Sequence, residues 1–179
     1  MKRWPFIAIF VLVASVSPLV TSSEPMRPES PGLTGEAPDF QFLANDGRWK
    51  SLHDLRRESH VLLVFEPAEA QLAALEREAE SLRGQGVNVI AVFSHGESAN
   101  WSKIERLGLT YSLLSDPRGE LASQFRIASE SGAPHPSWFL VDRDGRVRGL
   151  ERGSLPETGF TGVVAGALRP AEQASTLKP

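Results

Sequence analysis

The sequence predicts an α/β fold: a three-layer sandwich with a central mixed sheet flanked by helices, preceded by an N-terminal hairpin. Three observations predict it. Val61, Leu62, Leu63, Val64 and Phe65 form an unbroken apolar run, as expected of a central strand buried on both faces. From Ala68 the period changes. Ala70, Ala73, Ala74, Leu75, Ala79 and Leu82 return to one face, while Glu76, Arg77, Glu80 and Arg83 occupy the other, the mark of an amphipathic helix. Further along, the order strand, helix, strand, helix, then a hairpin and a last helix, suits an α/β sandwich.

The chain has 179 residues, 41% hydrophobic and 23% charged, with no cysteine. That is room for one domain with a real core. Its net charge is −3, and no basic excess invites nucleic acid. Without cysteine the chain has no disulfide, thiolate metal site or thiol catalysis.

Lys2 and Arg3 precede an apolar stretch over 4–20, followed by Thr21, Ser22 and Ser23. Residues 1–23 read as an export signal or, if uncleaved, a membrane anchor, since about 17 residues lies at the lower limit for spanning. Removing them leaves 17 basic against 22 acidic residues, a net −5. The domain is thereby expected outside the cytoplasm, in the periplasm or its equivalent. Residues 24–36, with Pro25, Pro28, Pro31, Gly32 and Gly35, read as an extended linker. The domain is expected over 37–168 and a flexible polar tail over 169–179.

Within the domain, Phe40 and Phe42 alternate with Gln41, Asn45-Asp46-Gly47 supplies a hairpin turn, and residues 48–50 return. Ser51 caps a short helix through Arg56. After the buried strand come Glu66 and Pro67, then the long helix, which Gly84 and Gly86 stop. Residues 87–93 make a second buried strand, and Ser94-His95-Gly96 a loop at its end. A helix through Trp101, Ile104 and Leu107 ends at Gly108. Leu113 and Leu114 mark a short strand, 119–125 a helix, 138–141 and 147–150 a hairpin about the turn 142–145, and 157–168 a weak final helix with three glycines.

Four stretches resemble the thioredoxin-like redoxins, the peroxiredoxin-like group of alkyl hydroperoxide reductases and thiol-specific antioxidants. They are Glu36-Ala37-Pro38-Asp39-Phe40 with Leu52 and Leu55, the strand at 61–65, the run 113–120 (LLSDPRGE), and Pro136-Ser137-Trp138-Phe139-Leu140-Val141-Asp142 with Gly145. The resemblance implies a thioredoxin-like fold and an antioxidant oxidoreductase that works through cysteine. It also implies a cis-proline at Pro136, beside the active-site loop, where backbone groups can pair with an extended peptide.

The departure lies where that family does its chemistry. The cysteine position falls near Ala68, after a loop several residues shorter than a peroxiredoxin's. Peroxide reduction needs a thiolate to attack the O–O bond and a second thiol to resolve the sulfenic acid. Disulfide exchange needs a sulfur to form the mixed disulfide. Alanine supplies neither.

What remains is a groove of Glu66, Pro67, Ala68, His135 and Pro136, with an extended segment of another protein as its expected occupant. No cofactor and no metal are expected. His53, His60, His95 and His135 are scattered, and the copper-handling members of the fold pair such a histidine with two cysteines. Ser94 and His95 lack the nucleophile-elbow context of a hydrolase. Glu76, Arg77, Glu78 and Glu80 read as a solvated helix face. Trp101, Trp138 and Phe139 read as core or rim packing rather than a ligand cage. The expected function is a non-catalytic binding or accessory module of the cell envelope; the alternative is an antioxidant oxidoreductase running on non-cysteine chemistry.

Overall fold

The apolar run at 61–65 folds as the middle strand of a five-stranded sheet. The structure is a computed structural model that describes residues 35–43, 47–128 and 134–169, all within the compact unit Gly32–Pro179. In chain order its elements are β1 (Gln41–Leu43), β2 (Trp49–Ser51), α1 (Leu52–Glu58), β3 (His60–Phe65), α2 (Glu69–Gly84), β4 (Val87–Phe93), α3 (Glu97–Leu107), β5 (Ser112–Ser115), α4 (Glu120–Gln124), β6 (Ser137–Val141), β7 (Val147–Arg152) and α5 (Phe160–Leu168). The signal or anchor expected over 1–23, most of the linker and nearly all of the tail lie outside the described residues. No described helix is long and apolar enough to cross a membrane.

The sheet order is β5-β4-β3-β6-β7, with β1 and β2 paired separately as an antiparallel hairpin. β3 is parallel to β4 and antiparallel to β6, so the sheet is mixed. Alternation along β3 divides the core. Leu62 and Val64 pack with Leu72, Leu75 and Leu82 of α2 and with Phe160 and Val164 of α5. Val61, Leu63 and Phe65 pack on the other face with Leu52 of α1, Leu121 of α4, Phe125 and Phe139. Helices therefore cover both faces, and each fully buried side chain of this size contributes about 1.5–3 kcal/mol relative to exposure.

Several boundaries differ from expectation. Helix α1 runs two residues past Arg56, because the Ser51 hydroxyl caps the Asp54 amide at 3.0 Å and the chain turns only at Ser59. Helix α2 includes Gly84 and ends where Gly86 takes φ +70°, a left-handed conformation that glycine adopts without steric cost. Ala70 lies on the exposed side of α2, and Leu72 replaces it in the core. Helix α5 starts at Phe160 rather than 157, behind Gly159 at φ +83°. The hairpin pairs as expected, although Asn45 and Asp46 of its turn lie outside the described residues. At the hairpin after β6, Gly145 takes φ +84°, and a Cβ there would run into the Arg56 guanidinium.

The acidic face of α2 is not simply solvated. Glu76 accepts from the Thr110 amide at 2.8 Å. Glu78 accepts from the Gly159 amide at 2.7 Å and from both the amide and the hydroxyl of Thr161 at 2.8 Å, supplying the side-chain cap that α5 lacks. Partial burial works against the charge on Glu78, but these hydrogen bonds outweigh it, and its carboxyl is held below its ordinary value of 4.5. A depressed carboxylate contributes stability above its unfolded pKa and loses it as the pH falls through the folded one. Urea unfolding of the native protein should therefore weaken from about pH 4.5 downward, with a shallower decline in Glu78→Gln. Parallel pH profiles for the two proteins would contradict this role.

Candidate functional site

The residues expected to line a groove lie where two antiparallel strands run out. Phe65 at the end of β3 pairs with Ser137 at the start of β6, so the next residues, Glu66 and Pro136, emerge side by side. Glu66 has φ +48°, a left-handed conformation uncommon outside glycine, asparagine and aspartate. Two bonds hold it. Its amide donates to the Val92 carbonyl at 2.9 Å, and its Oε1 accepts from the Ser94 amide at 2.5 Å. The carboxylate thus braces the ends of β3 and β4 and is not a spare acid in the groove. Pro67 is buried and shapes the loop from beneath, whereas Ala68 is exposed.

Ala68 is the N-cap of α2, with extended backbone at φ −67° and ψ 162°. Its methyl group offers no acceptor to the helix. Gln71 compensates from the third helical position: its Oε1 accepts from the Ala68 amide at 2.8 Å, the return half of a capping box without the forward half. The Gln71 side-chain amide also donates to the Leu155 carbonyl at 3.4 Å. Next to it, Glu69 receives both arms of the Arg106 guanidinium at 2.5 and 2.8 Å, and that hydrogen bond is the main reason its pKa is lowered. A helix N-terminus that elsewhere favours a thiolate is here furnished with a neutral amide and an already paired carboxylate.

Across the strand register from Glu66 lies Pro134-His135-Pro136. Ala128 and Pro134 form a bridge, and the His135 amide donates to the Ile127 carbonyl at 2.9 Å. The His135 and Pro136 side chains are exposed. The expected cis bond does not occur: every described peptide bond is trans, including the one before Pro136. Ser137 is fully buried, with its hydroxyl donating to the His135 carbonyl at 3.0 Å.

The structure does not bring the histidines together. His53 contacts the Arg56 guanidinium at 3.1 Å. His60 lies at the start of β3, its pKa lowered first by burial and then by the charge of Arg143. His95 stacks on Phe93 with ring centroids 4.6 Å apart, and its Nε2 lies 2.6 Å from Lys103 Nζ. Neither contact is to a serine hydroxyl. Among the described residues no three histidine, aspartate or glutamate side chains gather as a metal would need. Trp138 and Phe139 are core, and Trp101 is 43% exposed at a rim.

Gln71, Ser94 and Arg106 hold the local geometry here. Gln71 carried a signal, a glutamine three residues after a helix start; the other two are set by tertiary approach.

Comparison with known proteins decides the family. The AhpC/TSA family profile matches residues 33–150, about two thirds of the chain. The chain belongs to the AhpC/TSA family. Among curated relatives of this AhpC/TSA family member, thiol-disulfide oxidoreductase ResA of Geobacillus thermodenitrificans is 28% identical over 125 residues, covering 66% of this chain and 68% of the relative. ResA of Geobacillus kaustophilus is 24% identical over 153 residues, covering 82% and 84%. Among solved structures, peroxidoxin BcpB from Mycobacterium tuberculosis superimposes with a TM-score of 0.66 at 18% identity, covering 82% of this chain and 97% of that one. Plasmodium yoelii thioredoxin peroxidase I gives 0.66 at 19%, covering 81% and 92%. At these identities the structural likeness speaks for the fold alone, which is thioredoxin-like as expected. This family member nevertheless contains no sulfur nucleophile, because the chain has no cysteine.

Proposed function

We propose that this chain is a non-catalytic binding or accessory module of the cell envelope, and that the groove between Ala68 and the His135-Pro136 wall takes an extended segment of another protein. The observation that carries the reading is an exposed alanine at the helix terminus beside an exposed proline, with Gln71 closing the local donor in place of a thiolate. Extended segments suit such a site because strand ends present backbone groups to pair with and side-chain pockets to read. Lys2 and Arg3 ahead of an apolar stretch support export. The relatives named as oxidoreductases suggest the alternative activity, for which this chain has no thiol.

The test places a photo-crosslinking residue at Ala68, with a control at Arg77 on the exposed face of α2, in cells making the full chain. A discrete protein adduct at 68 and none at 77, recovered from the envelope fraction and lost on Pro136→Ala, is the expected result. Equal labelling at both positions, or none at 68, would remove the groove as a binding site.

A further inference from the structure

The end of the sheet that carries Glu66 and Pro136 also carries charge that the fold leaves unused. One row of strand partners crosses it: Phe65 of β3 pairs with Ser137 of β6, and Ser137 pairs with Arg152, the last residue of β7. Neighbouring strands lie about 4.8 Å apart, so Arg152 stands one strand from Pro136 and two from Glu66. Its guanidinium lies 5.3 Å from the Phe139 ring, and its Nη2 donates to the Phe125 carbonyl at 3.4 Å. That carbonyl is joined through its peptide to Arg126, which is exposed and held at φ +54°. Two guanidiniums are thus brought to one edge of the site. Burial first, and then the charge of Arg126, lowers the pKa of Arg152.

Neither arginine has an anion to meet within the fold. Among the described residues neither forms an ion pair, and the Arg126 side chain has no hydrogen bond. The acids of the site are spent, Glu66 on the Ser94 amide and Glu69 on Arg106. This happens in a chain with an acidic excess, net charge −3. Like charges held together repel, and an anion set between them turns that cost into attraction. A carboxylate is the anion that matches: its two oxygens lie in one plane and accept the parallel N–H groups of a guanidinium. Arg152 Nε is shielded from solvent and meets no ligand. Nη1 has no hydrogen-bond partner and is not shielded, so the reachable donors are Nη1 and the exposed guanidinium of Arg126.

We propose, on the groove reading given above, that the extended segment bears an acidic side chain whose carboxylate is received by Arg126 and Arg152 while its backbone passes His135 and Pro136. The probe is a blocked pentapeptide of threonine and alanine with a central glutamate, compared with the same peptide carrying glutamine. In the isotope-labelled full chain the shielded Arg152 Nε–H exchanges slowly with water, so its magnetic-resonance signal, identified by its loss in Arg152→Gln, reports on the site. The glutamate peptide should shift that signal saturably at constant ionic strength, and the glutamine peptide should bind roughly three- to tenfold more weakly. Arg126→Gln should weaken the glutamate peptide by a similar factor and leave the glutamine peptide as it was; Arg77→Gln on α2 should change neither. Equal binding of the two peptides, an unchanged preference in Arg126→Gln with an otherwise intact spectrum, or no shift with either peptide would overturn the proposal. The groove reading is judged apart from this. A crosslinked adduct at position 68 that is lost on Pro136→Ala but retained in Arg126→Gln and Arg152→Gln would keep the groove and remove the acidic side chain from it.

Discussion

Replacing Phe125 by alanine is expected to destabilise the protein by about 3–5 kcal/mol, enough to unfold a domain of ordinary marginal stability on mild heating. Phe125 is fully buried just beyond α4. Its ring lies 4.9 Å from Phe139 in a T-shaped contact, 5.5 Å from Phe65 and 6.4 Å from Phe40. The ring therefore joins three separately coded segments: β3, β6 and the stretch leading into β1. Truncation removes buried apolar surface, leaves a cavity among rigid aromatic neighbours, and abolishes edge-to-face contacts worth about 0.5–1.5 kcal/mol each beyond area alone. Collapse around the gap is hindered because Phe65 and Phe139 are fixed in adjacent strands by the sheet register. The Arg152 guanidinium donates to the Phe125 carbonyl at 3.4 Å and lies 5.3 Å from the Phe139 ring, contacts that the truncation leaves in place, so the loss is one of ring packing. Urea denaturation measures the change, with Phe125→Leu as a milder comparison. A loss below about 1 kcal/mol for Phe125→Ala would mean that the face repacks freely, contrary to the dense packing expected of a core.

The second large effect concerns chemistry at the groove. Ala68→Cys is expected to create a thiol that, given a single equivalent of peroxide, consumes it and does not turn over. Position 68 is exposed at the N-terminus of a sixteen-residue helix, where the dipole lowers a thiol's pKa below its free value of about 8.5. The thiolate attacks the O–O bond, becomes sulfenic acid and releases the other oxygen as hydroxide or alkoxide. Regeneration needs a second thiol, and the chain has none. Stoichiometric peroxide loss without added thiol, together with alkylation by iodoacetamide that rises with pH around a midpoint under about 8.5, is the expected pair of results. Sustained turnover in the absence of any thiol would require a reductant within the chain and would contradict this account. An alkylation midpoint at or above that of free cysteine would show that Gln71 and Glu69 have cancelled the helix terminus.

The reach of sequence reasoning differs between the elements. Residues 61–65 and 87–93 could be assigned to strands because both faces are buried, which leaves a continuous apolar run. Gly108 ends α3 at φ +63°, as a glycine after the last apolar repeat should. Glu78 shows the limit. In one dimension it belongs to a charged face, and only the approach of the chain at 159–161, some eighty positions later, turns it into a helix cap. Glu66 shows the same limit at the groove. Its left-handed backbone is stabilised by the amide of Ser94 at the end of a neighbouring strand, a contact with no local sequence signature. Arg126 and Arg152 likewise come together only where the end of β7 meets the Phe125 carbonyl.

The sequence by itself determined the class of the fold, the element order and the loss of thiol chemistry, because periodicity and composition are local properties and an absent cysteine is absent in every conformation. The tertiary structure decided which polar groups are spent on holding the chain and which remain to meet a ligand. That choice depends on hydrogen bonds between segments distant in sequence, whose partners are defined only when the sheet register and helix packing bring them within about 3 Å.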